Sequence, residues 1–150
     1  MSEQTIDRDS VASIAQQFEA RPEMLVQILQ AIVARHGWVS KDVTRQLADI
    51  LNLSRADVHG VVEYYHDFRT QPPGDHIVKI CQAEACQAMG SRALTQHAGD
   101  SVDADTTIES VYCLGNCACA PAIMVDGKTF GRVDAERFDT LVAAVQEETS

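Results

Sequence analysis

The sequence has no apolar run near the roughly 18 residues a membrane helix requires. It opens Met-Ser-Glu-Gln, with neither a basic n-region nor an apolar h-region. These two absences argue against a membrane span and against secretion, and the expected location is cytoplasmic. Basic residues are also scarce. Twelve Lys and Arg stand against 22 Asp and Glu, a formal net charge of −10. A surface of that sign repels phosphate backbones and anionic headgroups, so neither nucleic acid nor a membrane surface is expected as a partner. The C-x-x-C spacing of a thioredoxin-type dithiol is missing, and so is a glycine-rich dinucleotide fingerprint. The chain is therefore not expected to bind NAD or to catalyse turnover by itself.

What the sequence does contain is cysteine in an unusual arrangement. Cys81 and Cys86 form C-x4-C, Cys113 and Cys117 form C-x3-C, and 26 residues separate the two pairs. Four thiolates gathered at one point need a positive centre to offset their charge, and iron or zinc supplies one. Four cysteine thiolates are the usual ligand set of a 2Fe-2S cluster, which is the reading adopted. Zinc accepts four thiolates too, although structural zinc sites usually repeat short C-x2-4-C knuckles. Disulfides would require an oxidising compartment, and unrelated buried thiols are common in protein cores. Spacing alone leaves these alternatives open. A fifth cysteine, Cys119, makes C-x-C with Cys117 and is read as an accessory residue beside the site.

A chain of 150 residues with 45% hydrophobic content can build one domain or two small ones. Residues 1–70 carry a net charge of −3 and residues 71–150 carry −7, so acidity concentrates with the cysteines. The first stretch reads as four short amphipathic helices. Asp9 or Ser10 is the expected cap of the first, with Val11, Ile14, Ala15 and Phe18 at helical spacing. Pro22 opens a second helix that stops at Gly37. Ser40 caps a third carrying Val43, Leu47, Ile50 and Leu51. Ser54 with Asp57 forms a capping box for a fourth with Val58, Val61, Val62 and Tyr65. His36, His59 and His66 form no ligand-like cluster and are read as surface or packing residues, and Trp38 as a core plug.

Residues 70–74, Thr-Gln-Pro-Pro-Gly, break the helical pattern and read as a linker. A β-rich run from His76 to Ile80 then leads into Cys81. A helix is expected over Gln87–Ala98 and a strand from Ile108 to Tyr112 ending at Cys113. Ala122–Val125 and Thr129–Val133 flank Asp126-Gly127-Lys128, a hairpin signal, and Asp134 caps a last helix. The fold class is therefore α+β. A small N-terminal helical bundle (1–70) would serve docking or scaffolding, and a thioredoxin-like domain (71–150) would hold a four-stranded mixed sheet. Parallel, adjacent strands would deliver both cysteine pairs to one edge. Gly115 suits the bend inside C-L-G-N-C, and Pro121 would stiffen the loop that follows.

The segment C-L-G-N-C-A-C-A-P, followed by I-M-V-D-G-K-T-F-G-R-V, resembles the 24-kDa-type subunit of NADH:quinone oxidoreductase, one of the thioredoxin-like 2Fe-2S ferredoxins. The helical half resembles it as well, in L-N-L-S-R-A-D-V-H-G-V-V-E-Y-Y and F-R-T-Q-P-P-G, so the likeness covers roughly residues 20–145. C-Q-A-E-A-C-Q-A-M-G together with E-Y-Y-H-D-F is most similar to the gamma subunit of soluble NAD-dependent formate dehydrogenases. The resemblance implies that Cys81, Cys86, Cys113 and Cys117 occupy ligand positions for a 2Fe-2S cluster and that Cys119 does not. It implies one-electron transfer beside a flavin- and NAD-binding subunit, with a formate-oxidising molybdenum or tungsten subunit in the same complex. The alternatives are the equivalent subunit of NADH:quinone oxidoreductase or of an NAD-linked hydrogenase. Outside electron transfer, the competing readings are a zinc-stabilised interaction module and a thiol–disulfide enzyme.

Overall fold

The computed structural model describes residues 6–149, and the Met-Ser-Glu-Gln opening lies outside them. The chain forms two compact units that divide between Pro72 and Pro73.

The first unit is built from helices. α1 (Arg8–Gln17) buries Val11, Ile14 and Ala15. Its N-cap is Asp7, not Asp9 or Ser10, which both lie inside the first turn. Ser10 is engaged elsewhere, its Oγ lying 2.9 Å from His36 Nε2. One turn of 3-10 helix (Pro22–Met24) leads into α2 (Leu25–His36), and Gly37 closes α2 in the left-handed conformation at φ 82°. α3 (Lys41–Leu51) starts at Ser40, whose Oγ accepts the Val43 N–H at 3.1 Å. α4 (Arg55–Tyr64) starts with the reciprocal pair of bonds between Ser54 and Asp57.

The inward faces of these helices share one core, with Val11, Ile28, Leu29, Ile32, Val43, Leu47 and Val58 sealed from solvent. Trp38 packs, half-buried, against this core. His59 faces Glu63 at 4.0 Å and His66 is exposed. Because Leu47 is fully enclosed, Leu47→Ala leaves a cavity and should cost about 2–5 kcal/mol. Ser40→Ala removes only a cap and should cost about 1 kcal/mol. Denaturant melts followed by far-UV circular dichroism measure both.

The second unit is a sheet with helices. β1 (His76–Cys81) pairs in parallel with β2 (Thr106–Val111) and antiparallel with β3 (Ile123–Val125). β3 forms a hairpin with β4 (Lys128–Phe130), giving the mixed order β2-β1-β3-β4. Asp126 (φ 45°) and Gly127 (φ 83°) make the two-residue turn, both left-handed as a type I′ turn requires. The Asp126 carboxylate also reaches back to β1. One oxygen accepts the Ile77 N–H at 2.8 Å and the other lies 2.9 Å from His76 Nδ1. β2 begins and ends earlier than the expected Ile108 to Tyr112. The ladder opens at His76↔Thr106 and closes at Cys81↔Val111, which leaves Tyr112 outside it and 78% exposed.

The helix expected over Gln87–Ala98 is in fact two, α5 (Glu84–Ala88) and α6 (Ser91–Ser101). Gly90 at φ 96° breaks the path between them. The strand expected to run to Val133 stops at Phe130, because the next N–H groups bond away from the sheet: Arg132 to the Cys119 carbonyl and Val133 to that of Pro121. Asp134 Oδ1 then caps α7 (Ala135–Thr149) through the Arg137 N–H at 2.9 Å. Val78, Ile80, Ile123, Val125, Leu94, Ala98, Val133, Phe138 and Val142 form the core between sheet and helices.

Candidate metal centre

Parallel pairing of β1 with β2 sets the carboxyl ends of both strands at one edge of the sheet. Cys81 is the last residue of β1, opposite Val111. Cys86 returns on α5, and both of these thiols are 1% exposed. Beyond β2 the chain reverses tightly, with Cys113 at φ 96° and Gly115 at φ 76°. It then enters a single 3-10 turn, Cys117–Cys119. The reversal brings Cys113 Sγ to 3.8 Å from Cys117 Sγ, and the Gly115 N–H donates to Cys113 Sγ at 3.3 Å. Two thiolates on one tetrahedral metal, each about 2.3 Å from it, lie about 3.8 Å apart. This pair is already at that separation.

The first pair is held by hydrogen bonds. Burial disfavours the thiolate of Cys81. Donation from the Ala83 amide, the Cys86 thiol and the Leu114 and Cys113 amides outweighs burial and holds the Cys81 pKa below its ordinary value. Cys86 is pushed up, first by burial and further by the hydrogen bond it donates to Cys81 and by the charge there, against one donating amide from Ala122. Cys117 is pushed up by its hydrogen bond and charge interaction with Cys113, and also by Cys81. Donors from the 113–114 segment reach Cys81, and the charge of Cys81 also acts on Cys117, so the two pairs lie near one another. Among the described residues, no three His, Cys, Asp or Glu side chains close around a single point. Cys113 and Cys117 stand at the separation of two ligands on one metal atom and Cys81 is hydrogen-bonded to Cys86, so each pair could serve one metal atom of a binuclear centre. Backbone N–H groups directed at sulfur also suit such a centre, since they stabilise thiolate without adding a competing ligand.

Cys119 is half-buried, with its carbonyl accepting the Arg132 N–H at 2.6 Å. The following Ala120–Pro121 peptide bond is cis. A hollow of about 540 Å3 behind this loop is lined by Met89, Leu94, Pro121 and Val133 and bears Arg132 and Asp134 as its charged groups.

The sequence shows the thiols but not the amides that hold them. Ala83, Leu114 and Ala122 contribute through the backbone and carry no side-chain signal. Gly131 has a signal, as a lone glycine at the end of a strand pattern, where close backbone approach is the usual cause. A Cβ built on Gly131 would lie 2.5 Å from Cys119 Cβ, 2.7 Å from Asn116 Nδ2 and 2.7 Å from the Cys119 carbonyl oxygen.

Comparison with known proteins gives a consistent family. The sequence profile described as thioredoxin-like [2Fe-2S] ferredoxin matches residues 11–146. The chain is 26% identical over 147 residues to the E subunit of the NADH-quinone oxidoreductase of Pseudomonas aeruginosa, covering 92% of this chain and 89% of that protein. It is 28% identical over 144 residues to the E 2 subunit of the NADH-quinone oxidoreductase of Rhizobium meliloti, covering 90% and 86%. Among solved structures, a NAD+-reducing [NiFe]-hydrogenase in its H2-reduced state superimposes with a TM-score of 0.64 at 21% identity, over 83% of this chain. The match covers 22% of that hydrogenase chain.

Proposed function

This chain belongs to the thioredoxin-like [2Fe-2S] ferredoxin family, and from that premise we propose that Cys81, Cys86, Cys113 and Cys117 hold its 2Fe-2S cluster in an electron-transfer subunit of a NAD-linked oxidoreductase complex. The observation that carries the ligand assignment is the arrangement of four thiols as two pairs at one sheet edge, with one pair at 3.8 Å. When bound, the cluster accepts and donates one electron at a time. The residues contribute the rest. Cys81 and Cys86 form the buried side of the site, and Cys113 and Cys117 form the side open to a partner. Amide donors at Cys81 and Cys113 favour the reduced state, since N–H groups at sulfur offset added negative charge.

The proposed neighbour is a flavin- and NAD-binding subunit, in a cytoplasmic complex. The residues over 1–70 act as its docking or scaffolding part and those over 71–150 as the ferredoxin domain. Similarity to quinone-reductase subunits and to a hydrogenase supports a quinone- or hydrogen-linked complex. A second reading, a formate-oxidising molybdenum or tungsten partner, rests on C-Q-A-E-A-C-Q-A-M-G and E-Y-Y-H-D-F.

Freshly purified protein should be brown and contain iron and acid-labile sulfide in equal amounts. A colourless zinc protein would overturn the reading. Gentle affinity purification from the native host, read by mass spectrometry, should recover the flavin- and NAD-binding subunit. Accompanying quinone-reductase, nickel–iron hydrogenase or formate-oxidising subunits would distinguish the three settings. Recovery of the chain alone would count against a complex.

A further inference from the structure

We infer that Gly131 is a positioning residue for the Cys117 thiolate, and that Cys119 is the spacer through which it acts; this rests on the cluster reading above. The segment after β4 runs directly against the cysteine loop. Arg132 donates to the Cys119 carbonyl at 2.6 Å and Val133 to that of Pro121 at 3.1 Å. Val133 is sealed in the core, so the segment has a fixed seat and cannot retreat easily. The 3-10 turn resting on it is closed by Cys119 N–H to Asn116 and Ala120 N–H to Cys117. Gly131 directly precedes the Arg132 contact and faces the turn without a side chain.

Any side chain at 131 would place its Cβ 2.5 Å from Cys119 Cβ and 2.7 Å from both Asn116 Nδ2 and the Cys119 carbonyl oxygen. Contacts under about 3 Å between non-bonded heavy atoms of this kind lie on the repulsive wall. Two of the three atoms offer no easy relief. The carbonyl oxygen is backbone, and a Cβ moves only with its backbone. An added methyl group must therefore push the turn away from its seat. Asn116 and Cys119 lie one and two residues from Cys117, so the push reaches the sulfur that stands 3.8 Å from Cys113 Sγ. The absence of a side chain at 131 thus sets a ligand position from 14 residues away, and the fifth cysteine has a packing role.

The experiment compares Gly131→Ala with wild type and with Gly99→Ala, whose added methyl meets nothing within 4 Å on α6 of the same unit. EPR of the reduced protein, reduction potential and cluster lifetime under chelator are the readouts. Gly131→Ala should shift the g-values and shorten the lifetime several-fold, whereas Gly99→Ala should leave both unchanged. Adding Cys119→Gly to Gly131→Ala removes the nearest clashing atom and should restore part of the wild-type signal. A purely structural loss of stability would lower the folded fraction without moving the g-values of assembled protein or responding to Cys119→Gly. A wild-type cluster unmoved by Gly131→Ala overturns this inference and leaves the cluster reading intact. A wild-type protein without a cluster overturns both.

Discussion

Serine in place of Cys81, Cys86, Cys113 or Cys117, one at a time, is expected to abolish or badly damage the EPR signal of the reduced cluster. Serine in place of Cys119 should leave most of it. The change is nearly isosteric, so the contrast reads chemistry more than packing. A hydroxyl oxygen is a poor substitute for thiolate on iron. It removes the soft donor and, at Cys81 and Cys86, leaves a polar group at sites only 1% exposed. Cys119 has a different surrounding. Its Cβ lies over Gly131 and its carbonyl holds Arg132, and both features survive the exchange of sulfur for oxygen. Iron and sulfide per chain should fall towards zero in the first four variants and stay near the wild-type value in the fifth. An intact signal in Cys117→Ser with none in Cys119→Ser would reverse the assignment of that ligand.

Removing the cluster under reducing conditions is expected to open the cysteine end of the second unit to proteolysis while the first unit stays helical. The packing at that end explains why. Its buried side chains are Cys81, Cys86, Ala120 and Ala122, with Ala83, Ala85, Val111 and Leu114 partly buried around them. Alanines bury little area, at about 0.8 kcal/mol for a methyl-sized group, and thiols without metal add little more. The loop at 113–121 has no strong apolar anchor of its own. Metal binding that joins it to Cys81 and Cys86 is then folding energy for that region. The first unit has its own core of Ile28, Leu29, Ile32, Leu47 and Leu51, with no thiol in it. Limited proteolysis should cut near residues 83–90 and 112–121 after chelation and release a stable N-terminal fragment. If residues 73–149 resist as well as before, the cluster does not hold this end together.

Local signals in the sequence placed several helix ends and the hairpin well. Ser40, Ser54 with Asp57, Gly37 and Asp134 act within a turn of their own position, and Asp126-Gly127 needs only its two flanking strands. Apolar spacing likewise gave the buried faces of α1 and α3. The misplacements have tertiary causes. Asp7 holds the N-cap position of α1 without a side-chain bond, while Ser10 meets a histidine 26 residues away. β2 is bounded by where its parallel partner ends, and β4 by carbonyls in the cysteine loop. The clasp of Asp126 on His76 and Ile77 spans 50 and 49 residues and has no local trace. At the candidate centre the same division holds. Thiols are visible as letters in the chain, whereas the amide donors and the clearance at Gly131 exist only once separate segments meet.

The strand order β2-β1-β3-β4 has a consequence for synthesis on the ribosome. β1 is made first, yet it is a central strand with β2 on one side and β3 on the other. It stays unpaired until residues near 111 and then 125 have been translated. At bacterial-type elongation rates of about 5–20 residues per second, the interval from Cys86 to Cys117 lasts roughly 1.5–6 seconds. Throughout it the nascent chain presents two reduced thiols on an incomplete sheet, behind a helical unit whose residues have already emerged. Co-translational order thus leaves Cys81 and Cys86 open to oxidants or stray metal ions before the second pair exists to join them.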